Sequence, residues 1–391
     1  MKNKMTKKRK IAVVTGTRAE YGVLKPLLRE IKKSKNLELE LMVTGMHLLE
    51  SFGFTAKQIK KDGFKLSDKI KMYKEKKQGP GYYGEALARG IKNFTKSFLR
   101  QRPDFLVVVG DRLEPLAAVL ASSPLKIPII HVHGGGKTDS GHIDENIRHS
   151  ITRFSHIHLA LSEKARKRLI RWGEEPWRIY NVGALNLDSI LGERKMKKEI
   201  LFKKFNLDPK QKLILCIFHS VHLEAEKAKK QAQEVFEAIK EMKIQTIIIY
   251  PNNDDGGEDI ISEIKKIQKL PFVKTFLSLK HKDYVNFLKN TDLLMGNSSS
   301  GIIEAPALKL PVVNIGSRNK GRDHADNVLF VDLDKKKIIR AVKKAVFDKS
   351  FRQKIKKCKN PFGQGRASEK IVKILTKIKK DKKLLQKKIT Y

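Results

Sequence analysis

Short runs of β-branched and other apolar residues recur along the chain, each followed by a turn and then by a segment whose apolar positions repeat at helical spacing. "KIAVVTG", "LELELMVTG", "DFLVVVGD" and "IPIIHVHG" mark the first half, and "KLILCIF", "TIIIYPN", "TDLLMGN" and "LPVVNIG" the second. Runs that stay apolar throughout read as strands buried on both faces, and their alternation with helices reads as βαβ units. The pattern predicts an α/β protein built from parallel sheets. Eight or more strands exceed one comfortable sheet, and around "NVGALNLDSILGERKMKKE" the apolar periodicity fades into a polar stretch. The domain boundary is placed there, near residues 183–195, giving a first domain over 1–183 and a second over 184–365. The segment "ASEKIVKILTKIKKDKKLLQKK" follows the turn signal "NPFGQG" and repeats apolar residues at helical spacing. This terminal helix, within 366–391, is expected to pack back on the first domain.

In open α/β sheets, ligands sit beyond the carboxyl ends of the strands. The unusual residues of this chain cluster there. "TGTRAEYG" follows the first strand, "GDRLE" another, "HVHGGGKTDSGHIDENIRH" the next, and "FHSVHLE" opens the second half. The expected site is a cleft between two doubly wound domains. In "LLMGNSSSGIIEAPALKLPVVNIGSRNKGR", residues 293–322, a buried strand runs into serines that begin a helix. On this reading the backbone N–H groups of Ser299, Ser300 and Gly301 point outward, unpaired, and attract an anion, above all a phosphate. Glu304, one turn in, would accept hydrogen bonds from a ribose diol. Arg318, Lys320 and Arg322 follow the next strand and favour a nucleotide diphosphate. The bland alternative is a plain N-cap by Ser298 or Ser299.

Composition changes this picture little. Among 391 residues, 83 Lys plus Arg face 42 Asp plus Glu, a net charge of +41. The lysines lie in short groups on helix backs without interleaved aromatics, so they read as solvated faces rather than a specific nucleic-acid surface. Cys216 and Cys358 are too few and too far apart for a disulfide framework or a zinc site. The apolar run after "MKNKMTKKRK" is too short for a signal peptide, and no run approaches about 18 apolar residues, so the chain reads as cytoplasmic and without a membrane span.

These motifs resemble the UDP-N-acetylglucosamine 2-epimerases, specifically their hydrolysing branch, from "TGTRAEYG" to "ADNV". The resemblance implies two Rossmann-like domains in a glycosyltransferase-B-like arrangement, with UDP held mainly by the second. It places Arg18 near the phosphates, Asp111, Asp144, Glu145 and His219 in the chemistry, Ser298, Ser299, Ser300 and Gly301 in the phosphate loop, and Glu304 on the ribose. "YPNNDDGGE", around Asn252 and Asp254, resembles a further signature of the family.

The chemistry can be weighed apart from the family. A hydrogen on C2 of a saturated sugar is barely acidic, so inversion there needs transient oxidation or elimination of the anomeric leaving group. Oxidation would need a nicotinamide site, yet "TGTRAEYG" lacks the G-x-G-x-x-G spacing. Elimination needs a positioned base and donors for the departing diphosphate. Asp111, Asp144, Glu145 and His219 can move the protons, and Arg18 with the serine loop can hold UDP. A 2-acetamidoglycal then takes up water, releasing N-acetylmannosamine. No metal or organic cofactor is expected. Each residue also has a plainer account: Asp111 as the cap of the helix near Leu113, Asp144 and Glu145 as first-turn acids, His219 as a turn histidine, Arg18 as a surface residue. The histidines from His131 to His158 lack a metal-binding spacing such as H-E-x-x-H.

The departures from the family pattern matter as much. Where its glycine turn carries an acid, this chain has Gly136, and Asp139 is the nearest acid in the same loop. Ser220 and His222 stand where proline and threonine are common. The expectation is a homo-oligomeric, hydrolysing epimerase acting on UDP-N-acetylglucosamine. The rivals are a non-hydrolysing epimerase, an epimerase of a 6-deoxy diacetamido UDP-sugar, a glycosyltransferase of the same architecture, a UDP-sugar-sensing pseudo-enzyme and a nucleic-acid-binding protein.

Overall fold

The computed structural model describes residues 8–76, 79, 81–137, 143–252 and 254–391. One unit gathers the chain through Gly136, Ile143–Ser189 and Gly365–Tyr391; Ile190–Gln364 belongs to the other. The first contains β1 (Arg9–Thr15), β2 (Leu37–Thr44), β3 (Asp68–Ile70), β4 (Phe105–Val109), β5 (Ile129–Val132), β6 (Ile157–Ala160) and β7 (Ile179–Asn181). All pair in parallel, in the order β3-β2-β1-β4-β5-β6-β7. The second contains β8 (Leu213–Ile217), β9 (Gln245–Ile249), β10 (Val273–Phe276), β11 (Leu293–Gly296), β12 (Val312–Ile315) and β13 (Val328–Val331). Its parallel order, β10-β9-β8-β11-β12-β13, repeats the first six positions of the first sheet. Both are doubly wound Rossmann-like sheets that reverse direction beside their first strand.

Burial explains why the strand runs are apolar on both faces. Ile11 and Val13 of β1 pack with Leu24, Leu27 and Leu28 of the helix Arg18–Lys33 and with Ile371 and Leu375 of the helix Ala367–Lys377. Ala12 and Val14 of the same strand face Phe94, Phe98 and Ala117 on the other side. Each fully buried leucine contributes about 1.5–3 kcal/mol by leaving water, so the two helical layers hold the sheet between them. Asp188 fixes where the terminal helix begins: its carboxylate accepts the N–H groups of Ala367 (2.9 Å) and Ser368 (2.7 Å). Those are orphan donors of a first turn whose own cap residue, Arg366, offers no side-chain bond.

Two sequence expectations change. The stretch read as polar around residues 183–195 carries the helix Asn186–Gly192, in which Leu187 and Ile190 are buried. Strands β3, β6, β7, β10 and β13, each of four residues or fewer, were not expected. Among the described residues no helix is long and apolar enough to cross a membrane.

Candidate active site

In the first unit, the reversal point lies between β1 and β4, so the loops beginning at Gly16 and Gly110 flank one crevice. The centre of this region is a residue the sequence reading passed over. Arg148 is buried on the helix Asp144–Phe154, and its two terminal nitrogens bind Asp111 and Glu145. One guanidinium thus orients two candidate carboxylates and offsets the cost of burying them. Asp111 is no helix cap: the helix Leu113–Ser122 is preceded by Arg112, with no side-chain cap bond. Asp144, in the same first turn as Glu145, contributes to the field that holds Arg112 charged against burial, after the larger contribution of Glu114.

Glu20 and Glu114 were also missed. Glu114 is fully buried, packs on Gly16 and lies 3.5 Å from the Arg112 guanidinium. Glu20 accepts the Gly16 N–H at 3.0 Å, yet burial, reinforced by the charge of Glu114, pushes its carboxyl up to about 8. It is therefore an acid that keeps its proton at neutral pH. Both glutamates lie within two or three residues of motif positions that were singled out, and that adjacency was the available signal. Arg18 opens the helix Arg18–Lys33 and is exposed, without joining the Arg148 cluster.

The histidines here are structural. His131 Nε2 meets the Gly110 carbonyl at 2.8 Å, and a carbonyl only accepts, so the ring proton sits on Nε2 and Nδ1 accepts from the Thr152 hydroxyl at 3.2 Å. His133 Nε2 accepts the Leu185 N–H at 3.1 Å. Burial lowers the two rings to about 3 and about 4, so both are neutral. Asp139 lies outside the described residues. Gly136 keeps an ordinary backbone conformation, and the nearest neighbours of a Cβ there would be His133 O at 3.6 Å and the Arg148 side chain at 3.7 Å.

The second unit reverses between β8 and β11, and a network of amides and hydroxyls lines its crevice. Gly296 ends β11 at φ +123°, where a Cβ would lie 2.0 Å from the Ile217 carbonyl, so only glycine permits the close approach of the two strand ends. The next residue, Asn297, uses that proximity. Its amide donates to the His219 carbonyl at 2.7 Å, and its oxygen accepts the His219 N–H at 2.7 Å. His219 Nδ1 accepts the Asn252 N–H at 3.2 Å, which leaves Nε2–H as the donor, and burial with the nearby Arg318 charge lowers the ring to about 4. Asn319, itself buried, ties the Asn297 carbonyl (2.9 Å) to Asn314 (2.8 Å), and Arg318 reaches the same carbonyl at 3.3 Å. Arg322 follows in this turn, its N–H on the Asn319 carbonyl.

The serine loop corrects one expectation. Ser298 is the N-cap; its hydroxyl accepts the Ser300 N–H at 3.3 Å, and its carbonyl accepts that of Gly301 at 3.1 Å. Those two N–H groups are therefore engaged rather than free for a phosphate. The helix Ser299–Ile303 is also short: it ends at Glu304 because Pro306 cannot continue it, and a 3-10 turn, Ala305–Leu308, follows. Glu304 is buried beside Tyr284, whose hydroxyl donates at 2.6 Å to Ser300 and lies 3.3 Å from Glu304. Tyr284, which no motif flagged, joins the serine loop to the proposed ribose acid.

The family model described as UDP-N-acetylglucosamine 2-epimerase matches residues 29–376. The chain belongs to this family. Among similar epimerases, a Legionella pneumophila protein named UDP-N,N'-diacetylbacillosamine 2-epimerase (hydrolyzing) is 36% identical, over 97% of this chain and 98% of that protein. The Neisseria meningitidis UDP-N-acetylglucosamine 2-epimerase is 33% identical, over 86% of this chain and 87% of its own. The Escherichia coli polysialic acid biosynthesis protein P7 is 33% identical, over 96% and 95%. In the solved epimerase structures the fold recurs: a Neisseria meningitidis UDP-GlcNAc 2-epimerase, bound to UDP-GlcNAc, superposes with a TM-score of 0.81 at 20% identity, covering 94% of this chain and all of that one. The chain is thus an enzyme of the hydrolysing 2-epimerase kind, with a glycosyltransferase-B-like α/β fold.

Proposed function

We propose that this epimerase converts UDP-N-acetylglucosamine and water to UDP and N-acetylmannosamine, a precursor for sialic or related nonulosonic acids. The observation that carries this reading is the pair of carboxylates, Asp111 and Glu145, on buried Arg148 beside a crevice that also holds a protonated acid, Glu20. A base removes the C2 hydrogen as the C1–O bond to UDP breaks, giving a 2-acetamidoglycal. Water then adds its hydroxyl at C1, and a proton returns to C2 on the opposite face. Asp111, Asp144 and Glu145 are assigned to these proton transfers, with neutral His219 offering a hydrogen bond through Nε2–H rather than a proton. Arg18, Arg318, Arg322 and the hydroxyls of Ser298, Ser299 and Ser300 are assigned to the diphosphate, and Glu304 to the ribose.

Asp139 is assigned as the loop acid in place of Gly136. Asp139→Asn is expected to lower turnover by about 10² with UDP affinity unchanged, and Gly136→Glu in that background to restore part of it. Full activity of Asp139→Asn would remove Asp139 from the mechanism.

A second reading has one observation in its favour, the name of the Legionella relative: the sugar is then a 6-deoxy diacetamido one. Incubation with both UDP-sugars in D₂O, followed by NMR, separates the readings. UDP with a free, C2-deuterated epimer from UDP-N-acetylglucosamine supports the first, and turnover of only the diacetamido substrate supports the second. Accumulation of UDP-N-acetylmannosamine without free sugar would make the enzyme non-hydrolysing, and UDP release that requires an acceptor would make it a glycosyltransferase.

A further inference from the structure

A group of buried charges lies at the far end of the helix Asp144–Phe154 from its candidate acids. The segment Lys383–Thr390 is held there by polar contacts. Arg178, fully buried, donates to the carbonyls of Lys383 (3.0 Å), Leu384 (2.8 Å) and Gln386 (3.1 Å). Glu174 bridges in antiparallel fashion to Ile389, and the Thr390 N–H reaches the Gly173 carbonyl at 3.1 Å. These contacts suffice to fasten the segment.

Lys387 does something different. Its ammonium group lies 2.6 Å from buried Glu174, which offsets its charge and which also binds His158 (2.8 Å) and Arg153 (3.1 Å). Its remaining donors go to the carbonyls of Thr152 and Arg153, both at 3.0 Å, in the last turn of the helix Asp144–Phe154. The Thr152 carbonyl already accepts the Ser155 N–H at 3.1 Å, so the ammonium adds a second bond there, and a cation at a helix end also complements the helix dipole. Thr152 then connects to the site: its hydroxyl donates to His131, whose other nitrogen donates to the carbonyl of Gly110, the residue before Asp111. One turn earlier on the same helix, Arg148 grips the Asp111 carboxylate itself.

We infer that Lys387 is a positioning residue for the reaction, setting the Asp111 carboxylate from both sides through the end of the helix Asp144–Phe154. One side is the peptide, held through Thr152 and His131; the other is the carboxylate, held through Arg148. A shift of the helix end alters both together, and misplacement of a reacting group by about 1 Å costs on the order of 10²-fold in rate.

The inference rests on the proposed reaction, and its test separates the two. Lys387→Met is expected to lower kcat by about 10- to 10²-fold well below its melting temperature, with KM within about twofold of the unaltered value. Lys387→Arg should restore most of the rate, since its fork reaches the same carbonyls. Thr152→Val should give a similar loss, and the double variant little more, because both break one chain. The ring signal of His131 in a ¹⁵N-histidine-labelled protein should move in Lys387→Met, a readout that needs no turnover. A folded Lys387→Met protein with full kcat, or a loss that vanishes on cooling as its folded fraction recovers, overturns the inference; so does an unmoved His131 signal. A moved signal in a protein whose unaltered form turns over no UDP-sugar upholds the relay and defeats the proposed reaction.

Discussion

The two crevices share a strand order and almost nothing else. In the first unit the polar groups are ions: Arg148 with Asp111 and Glu145, and Arg112 with buried Glu114. In the second the network is one of amides, hydroxyls and a neutral imidazole, joined by Asn297, Asn314, Asn319 and Tyr284, and the ions Arg318 and Glu304 attach to it at separate points. Buried ion pairs carry titratable protons and a strong local field; neutral networks fix donors in place without adding charge. Under the proposed function, the same backbone solution is filled once for moving protons and once for holding a ligand. Fold alone would not distinguish them.

The sharpest way to break this contrast is Asp111→Asn. It leaves Arg148 with one acid, and turnover should fall by about 10² or more, while UDP affinity, read by calorimetry, changes less than about threefold. A large loss of UDP affinity would mean the first crevice binds as much as it reacts. Asn297→Ala tests the other side. It removes both bonds that hold the His219 backbone, so about 1–3 kcal/mol of stability should go, with UDP Kd rising about tenfold. Urea unfolding and calorimetry measure the two.

Acid should separate the units next. Burial lowers His47, His133 and His156 to about 4 and His131 to about 3, and lowers His158 as well, all in the first unit; only His219 among the shifted rings lies in the second. Unfolded imidazoles take up protons near pH 6.5, so between that pH and about 4 the unfolded state binds more protons and stability falls with pH. Glu20, raised to about 8, works in the opposite sense, one group against five. Hydrogen exchange at pH 7 and pH 5 should show first-unit strands losing more protection; equal loss would contradict the assignment. The smallest effect is expected from Tyr284→Phe, which frees Ser300 and Glu304 from one hydroxyl at a cost of about 0.5–1.5 kcal/mol. It should weaken UDP binding severalfold and leave the rate at saturation unchanged.

The long apolar strands and the loops behind them were legible because a buried parallel strand must be continuous and its ligands must sit beyond its end. The short strands, such as β7 with three residues, carry too little pattern to read. Arg148, Asn297 and Tyr284 were invisible for another reason. Each matters through a partner distant in sequence: Asp111 for Arg148 and His219 for Asn297, while Tyr284 sits sixteen residues from Ser300. The serine loop shows the converse. The start of its helix was readable, but the short helix and its internal cap depend on Pro306 and on three-dimensional closure.

The glycine triplet at 134–136 has a consequence for how this enzyme can change by descent. A side chain at 134 would press on His131 at 3.0 Å, and one at 135 would need φ +74° and strike the Ala165 carbonyl at 2.5 Å. Position 136 has neither obstacle, with only ordinary contacts at 3.6 to 3.7 Å. Every glycine codon is one base from an aspartate or glutamate codon, so a carboxylate can enter or leave beside Arg148 in a single step, its Cβ meeting no clash. Of the three positions, 136 is thus the one at which a side chain can first appear without a backbone clash.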